Sequence, residues 1–313
     1  MKKIDVALVG ARGYVGFELL KLLDSHPQSH VIAAFSREFK GVAVRDVVEG
    51  FSDTTLHYQA DELTVLANMK LDVIFLALPN EIAKNYSELW SELSKSVCII
   101  DLSSDFRFDK NWIYGQPETC AENIVGQNLI ANPGCYATGS QLGLLPLIDH
   151  CITSPSIFGV SGYSGAGSKP SDNNNPERLA NNLKAYKLID HIHEKEVSNV
   201  LGKPVYFMPH VAEFFRGIHL TISVQLDNNY TVEEIEWNYR HYYQSFELIK
   251  VSHKIPEVQQ VQNTHNVLIG GFTVKDNHLV LCVVIDNLLK GAATQAIQNM
   301  NLSLGLEMNL GIS

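Results

Sequence analysis

The chain has 313 residues, 45% of them hydrophobic and 19% charged, with a formal net charge of −10 at pH 7. That length exceeds an ordinary single domain and predicts one large or two medium domains of globular composition. The acidic balance excludes nucleic acid as the principal partner, because phosphate binding needs a basic face.

The run "KIDVALV" (3–9) reads as a buried strand that enters the glycine turn "GARGYVG", not a signal-peptide cleavage site. Val15, Leu19, Leu22 and Leu23 then recur at helical spacing. Further strands are expected in "HVIAAFS", "LDVIFLALP", "VCIIDLS" and "NLIAN", with helical pieces such as 81–94 between some of them. Such alternation predicts βαβ units and a mostly parallel sheet. After about residue 155 the pattern changes. "GIHLTISVQL" alternates, "TVEEIEWNYRHYYQSF" reads as an amphipathic helix, and "NVLIGGFTV" and "HLVLCVVID" flank the turn residues Lys275, Asp276 and Asn277 as in a hairpin. This predicts a second, α+β domain. "SDNNNPER" (171–178) is expected to be a polar surface loop, and the tail "KGAATQAIQNMN" is helical again. No apolar stretch reaches membrane-spanning length.

Gly10, Gly13 and Gly16 follow a strand and open a helix. Lacking Cβ atoms, they let the chain turn tightly and let a pyrophosphate approach N–H groups at the helix N-terminus. The spacing is G-x-x-G-x-x-G, so a turn serving only helix–strand packing is the competing reading. After the second strand, "AFSREFKG" places Ser36 and Arg37 where an NAD site carries an acid for the ribose 2′-hydroxyl. A hydroxyl and a guanidinium suit a 2′-phosphate, which predicts NADP. Glu38 next door opposes that reading, and Arg37 alone also reads as plain surface.

The five cysteines are Cys98, Cys120, Cys135, Cys151 and Cys282, odd in number, spread out and without a C-x-x-C pair. That usage speaks for a reducing, cytoplasmic compartment and no disulfide framework. Cys98 and Cys282 fall inside strands and read as buried and inert. In "IANPGCYATGS" (130–140), Cys135 stands between a strand's end and a helix start. Open α/β sheets bind ligands at that edge, and helix N–H groups stabilise a thiolate there. Beside a nicotinamide site, a thiolate that attacks an acyl carbon makes a thioester able to accept hydride. Aldehyde–acyl interconversion is the chemistry this predicts.

The blocks "GARGYVGFELLKLL", "DLSSDFRF", "YGQPE", "NPGCYAT", "SGYSGAGSKP", "FMPHVAEFFRGI" and "NLLKGAATQAIQNMN" resemble, in order and nearly end to end, the N-acetyl-gamma-glutamyl-phosphate reductase family of arginine biosynthesis. Aspartate-semialdehyde dehydrogenase is the related family with the same fold and thiol chemistry. The resemblance implies an α/β protein with a Rossmann-type dinucleotide-binding domain (1–134 and 290–313) and an α+β catalytic and dimerisation domain (135–289) with a mixed, largely antiparallel sheet. Two positions depart from the family's pattern: Thr294 stands where glycine is usual, and Lys195 where proline is common.

What the resemblance implies for activity is NADPH-dependent reduction of N-acetylglutamyl 5-phosphate to the semialdehyde and phosphate, with Cys135 as nucleophile. The His-x-His block in "DHIHEKEV" assigns general acid/base work to His193, near a helix N-terminus whose dipole lowers its pKa. His191 and His210 are expected to orient substrate or hold loops. A zinc site from Cys135, His191 and His193 is not expected, because a metal would occupy the thiolate. Arg107, with Ser104 nearby, is expected on the phosphate and Arg216 on the α-carboxylate. Either arginine also reads as a structural ion-pair residue, Arg107 with Asp105 for example. Cofactor contacts are expected from Gly10, Arg12, Gly13, Tyr14, Val15, Gly16, Ser36, Arg37, Pro79, Ser164, Gly165 and Asn287. The expected partners are the small acyl-phosphate or semialdehyde substrate and phosphate, with no membrane and a homodimer or homotetramer. Alternatives are an aspartate-semialdehyde dehydrogenase, a carrier-linked acyl-phosphate reductase, or a non-catalytic dinucleotide sensor.

Overall fold

Val6, Ala7, Leu8 and Val9 lose all solvent contact, as a strand covered on both faces must. The computed structural model, which describes residues 3–60 and 63–312, divides the chain into two units, Met1–Gly134 with Ala292–Ser313, and Cys135–Gly291.

The first unit is built on β1 (Ile4–Val9), β2 (Ser29–Phe35), β3 (Tyr58–Gln59), β4 (Val73–Leu76), β5 (Cys98–Asp101), β6 (Ile113–Tyr114) and β7 (Leu129–Ala131). Their order in the sheet is β3-β2-β1-β4-β5-β7-β6, and every neighbouring pair is parallel. Helices α1 (Tyr14–Ser25), α2 (Ser87–Leu93) and α3 (Pro117–Ile124) lie along the connections. Strand order reverses at β1, between β2 and β4, and ligands of such sheets bind beyond the carboxyl ends of the strands at that point. All five expected strands are present. The two-residue β3 and β6 are too short to have a readable period. In α1, Leu19, Leu22 and Leu23 are buried as their spacing predicts, and Val15 is half-buried.

The second unit carries β8 (Ser156–Gly162), β9 (Leu183–Ala185), β10 (Tyr206–Ala212), β11 (Ile218–Gln225), β12 (Ile249–Ser252), β13 (Val267–Lys275) and β14 (His278–Ile285), in the order β12-β13-β14-β11-β8-β10-β9. The sheet is mixed: β12–β13 and β8–β10 are parallel and the other pairs antiparallel. Lys275 pairs with His278 across the expected hairpin, whose Asp276 has φ +55°. The helices are α4 (Cys135–Leu144), α5 (Pro176–Leu179), α6 (Ile192–Leu201) and α7 (Val232–Tyr242). Thr231 and Glu234 form a capping box that starts α7. Within the "SDNNNPER" stretch Asn175 caps the short α5.

After β14 the chain makes a π-helical turn, Leu289–Ala293, and runs into α8 (Thr294–Ser303). This helix packs against α1, α3 and β5 of the first unit. Thr294, at its start, is fully buried. Among the described residues, no helix is long and apolar enough to cross a membrane.

Candidate active site

The turn after β1 needs two of its glycines for its own packing. Gly10 has φ +81°, and a Cβ there would overlap the Ala77 carbonyl at the end of β4. A Cβ on Gly16 would lie 2.8 Å from the Gly10 carbonyl oxygen. Gly13 is different: at φ −67° it N-caps α1, and its Cβ would meet nothing nearer than 3.9 Å. The fold does not demand that glycine. No side chain caps α1 and no acid lies in its first turn, so the N-terminus keeps its positive dipole end for an anion. A dinucleotide pyrophosphate fits this cradle.

Ser36 is buried at the end of β2, where its Oγ accepts from Phe39 N (3.3 Å). Arg37 is exposed. The doubt raised by Glu38 takes a specific form: its carboxylate pairs with Arg12 Nη1 at 2.8 Å. Pro79 is exposed beyond the end of β4, and Ser104 N donates to Asn80 Oδ1 (3.0 Å) in the same region. The Asp105 carboxylate accepts from Glu81 N (2.6 Å) and Lys84 N (3.1 Å). Arg107, 9% exposed, donates from Nε to the Asn132 carbonyl (3.0 Å) and from Nη2 to the Leu102 carbonyl (3.1 Å). Asn299 of α8 bridges the Gly115 carbonyl (2.8 Å) and Asn132 Oδ1 (2.9 Å). The strand end that leads to Cys135 is thus held from two sides.

Cys135 is the first residue of α4 and is half-buried. It is in no disulfide, and Cys98 and Cys282 are buried as expected. Around it the second unit gathers aromatic and imidazole rings. Tyr136 lies 4.9 Å from Phe207, 5.9 Å from His193 and 6.4 Å from His191 between ring centroids. Tyr186 meets His191 at 5.7 Å, and the two histidine rings are 4.9 Å apart. The Tyr136 hydroxyl donates to the His210 carbonyl (2.7 Å). Burial, and then the charge of an ionised Cys135, push the Tyr186 phenol above its ordinary range. Burial, Tyr186 and Cys135, in that order, do the same to Tyr136. Both phenols therefore remain protonated hydrogen-bond donors throughout the neutral range.

The histidines divide their labour. His191 is the N-cap of α6, and its Nδ1 accepts from His193 N (3.2 Å). Burial, and secondarily Lys187, push its pKa down to about 4, so the ring is neutral with its proton on Nε2. His193 then starts the helix beside it, with Gly202 as the left-handed C-cap at the other end. Lys195 keeps the helix bond from its N–H to the His191 carbonyl (3.3 Å), which proline would forfeit. His210 packs on Phe158 at 4.3 Å, with Nδ1 3.1 Å from the Met208 carbonyl.

Arg216 makes an ion pair with Asp286. Nε and Nη2 fork onto the Asp286 carboxylate at 2.7 and 2.9 Å, and Nη1 reaches Asn263 Oδ1 at 2.8 Å. Ser164 and Asn287 are brought together, Asn287 Nδ2 donating to Ser164 Oγ (2.9 Å) while its Oδ1 accepts from Gly217 N (2.6 Å). Gly165, next to them, is exposed. Among the described residues, no group of three or more His, Cys, Asp or Glu is arranged to hold a metal.

Sequence reading missed Tyr136 and Tyr186 as neighbours of the cysteine, Phe207 as the ring packed on Tyr136, and Gly291, whose Cβ would stand 2.8 Å from that of Cys135. Tyr136 had a signal, since it directly follows Cys135. The others come from elements far along the chain.

Residues 5–127 match the NAD-binding domain of semialdehyde dehydrogenases, and residues 135–287 match their dimerisation domain. The N-acetyl-gamma-glutamyl-phosphate reductase of Xanthomonas campestris pv. campestris is 46% identical over 96% of this chain and 95% of its own length. The chain belongs to the N-acetyl-gamma-glutamyl-phosphate reductase family. A second relative, the mitochondrial bifunctional protein argC of Dictyostelium discoideum, is 47% identical over 97% of this chain, which spans 36% of that longer protein. Among solved structures, aspartate semialdehyde dehydrogenase II of Vibrio cholerae, complexed with ASA, has a TM-score of 0.78 at 20% identity, covering 96% of this chain and 98% of that one. The Candida albicans enzyme with NADP gives 0.75 at 17%, covering 96% and 98%. At that identity these two likenesses establish the fold, a dinucleotide-binding unit plus an α+β unit.

Proposed function

We propose that this chain catalyses the NADPH-dependent reduction of N-acetyl-L-glutamyl 5-phosphate to N-acetyl-L-glutamate 5-semialdehyde and phosphate, through a thioester on Cys135. The observation that carries this reading is the half-exposed cysteine at the N-terminus of α4, with two protonated phenols near it and the rings of His191 and His193 close to that of Tyr136. The Xanthomonas relative, matched along nearly its whole length, supplies the substrate.

In this reading the thiolate, favoured by the N-terminal dipole of α4, attacks the acyl carbon. The S–C bond forms as the C–O bond to phosphate breaks. Arg107 and Ser104 contribute to holding the departing anion. When bound, NADPH supplies the hydride that reduces the thioester. His193 gives a proton to the resulting alkoxide and takes it back as the C–S bond breaks, which regenerates the thiolate and releases the aldehyde. His191, neutral, fixes the main chain of His193. The glycine cradle with Ser36 and Arg37 holds the dinucleotide, and the dimerisation domain supports a homo-oligomer working in the cytoplasm.

Mass spectrometry of enzyme mixed with the acyl phosphate alone should find an N-acetylglutamyl group on the Cys135 peptide, lost on adding NADPH. Cys135→Ser should abolish both adduct and turnover while the Kd for NADPH changes less than about twofold. An active Cys135→Ser enzyme would remove the nucleophile from this site. In the reverse direction, phosphate-dependent NADP reduction should favour N-acetylglutamate semialdehyde over aspartate semialdehyde. The opposite preference would overturn the substrate.

A further inference from the structure

We propose that the Arg216–Asp286 pair is a positioning device for Cys135, acting through the π-helical turn that carries Gly291, and is not the clamp for a substrate carboxylate. The inference rests on Cys135 being the nucleophile.

Asp286 follows β14 directly and is fully buried, while the Arg216 side chain is 11% exposed. The Asp286 carboxylate is saturated by protein donors. Its Oδ1 accepts from Arg216 Nη2 (2.9 Å), Leu288 N (2.9 Å) and Leu289 N (3.1 Å). Its Oδ2 accepts from Arg216 Nε (2.7 Å) and Asn263 N (2.8 Å). Two of these five hydrogen bonds come from the guanidinium forked onto the carboxylate, the strong bidentate form of an ion pair. The Nε–Nη2 edge, one of the two that can fork onto a carboxylate, is taken by Asp286, and Nη1 on the other edge donates to Asn263 Oδ1.

What the pair organises is the next turn. Leu288 and Leu289 N–H groups converge on Oδ1, and the Asp286 carbonyl accepts from Gly291 N (2.9 Å). That bond spans five residues, the pattern of a π-turn, a feature that recurs at functional sites. The widened turn brings Gly291 onto Cys135: an added Cβ would lie 2.8 Å from Cys135 Cβ, 3.3 Å from its Cα and 3.1 Å from the Asp286 carbonyl oxygen. Gly291 is therefore the wall against which the first residue of α4 is seated, and only glycine fits. Arg216 is anchored in turn, since its carbonyl accepts from Gln262 Nε2 (2.7 Å) and Gly217 N donates to Asn287. Removing the guanidinium leaves a buried carboxylate uncompensated. The turn then shifts, and Gly291 shifts with it.

Arg216→Lys, Asp286→Asn and Gly291→Ala would be compared with the parent by two readouts. One is the pH-dependent rate at which iodoacetamide alkylates Cys135, located by peptide mass spectrometry without substrate or cofactor. The other is kcat and KM for the acyl phosphate. Positioning predicts that all three variants move the alkylation rate or its pH midpoint and lower kcat by roughly 10²-fold, the cost of about 1 Å of misplacement, with KM within about threefold. A clamp predicts that Arg216→Lys raises KM at least about tenfold with alkylation unchanged. That result would overturn the proposal. Gly291→Ala leaves the ion pair intact and tests the seating of Cys135 by itself: unchanged alkylation and kcat in that variant would overturn the proposal even where an ion-pair variant does not fold. Failure of the nucleophile reading shows separately, as activity retained by Cys135→Ser.

Discussion

One methyl group separates the two kinds of glycine in the turn after β1. At Gly10 it would meet the Ala77 carbonyl in a left-handed backbone, whereas at Gly13 it would enter open space at the head of α1. Gly10→Ala should therefore lower stability by at least about 1–2 kcal/mol for the positive φ alone, read in a denaturant melt. Gly13→Ala should leave the melt within about 1 kcal/mol and raise the Kd for NADPH tenfold or more, read by nucleotide fluorescence. Equal NADPH affinity in Gly13→Ala would take the pyrophosphate away from this turn. The Arg12–Glu38 pair makes a companion prediction. Glu38 adjoins Arg37, the residue we propose for the 2′-phosphate, and its carboxylate, 2.8 Å from Arg12, opposes that anion, so Glu38→Gln should tighten NADPH a few-fold and leave NADH nearly unchanged, as expected for an exposed pair. The glycine turn was legible in the sequence because strand, turn and helix adjoin. The Arg12–Glu38 pair was not, because it joins the turns after two different strands.

Helix α6 shows how an element can be legible while the reason for its start is not. Its apolar face and its stop at Gly202 follow from spacing. His191 as N-cap does not, since the usual caps are Ser, Thr, Asp and Asn. Burial holds that ring neutral, with a pKa of about 4 against 6.5 in an unfolded chain. Between those values the unfolded chain binds a proton that the native one refuses. Stability from this group is therefore full above about pH 6.5 and falls as pH drops toward 4, by on the order of 3 kcal/mol. His191→Asn keeps a capping oxygen and cannot titrate, so denaturant melts should show a shallower acid limb for it than for the parent. His26 and His219, which burial also pushes down, are common to both proteins and cancel. Identical slopes would assign the acid limb elsewhere. Strand β10 was missed for a related reason: it pairs in parallel with β8 and antiparallel with β9, and its alternating burial runs through Pro209, a residue that in a sequence argues against a central strand.

At the scale of the whole molecule, the last helix belongs to the first sheet. Ala296, Ile297 and Met300 of α8 are fully buried, and so are Gln295, Gln298, Asn299 and Asn301. The polar side chains tolerate this because they have partners: Asn299 bridges Gly115 and Asn132, and Asn301 donates to the Met308 (3.0 Å) and Leu310 (2.9 Å) carbonyls. Met300→Ala should cost about 2–5 kcal/mol as a cavity. Asn299→Ala should cost about 1–3 kcal/mol, because it strands a buried carbonyl and a buried amide oxygen. Both are measurable as shifts in the unfolding midpoint that NADPH binding counteracts by mass action. A cofactor that failed to raise the midpoint would separate this helix from the nucleotide-binding unit. By itself the sequence determined what adjacent residues decide: the parallel alternation, the glycine turn, the hairpin at Asp276 and a cysteine at a strand–helix junction. Only the tertiary structure decided that the Tyr186 phenol comes near that cysteine, that Arg216 is engaged by Asp286, and that Gly291 presses on Cys135. Those partners lie tens of residues apart or more in the chain, and no periodicity or spacing records a distance closed only when sheets and helices pack.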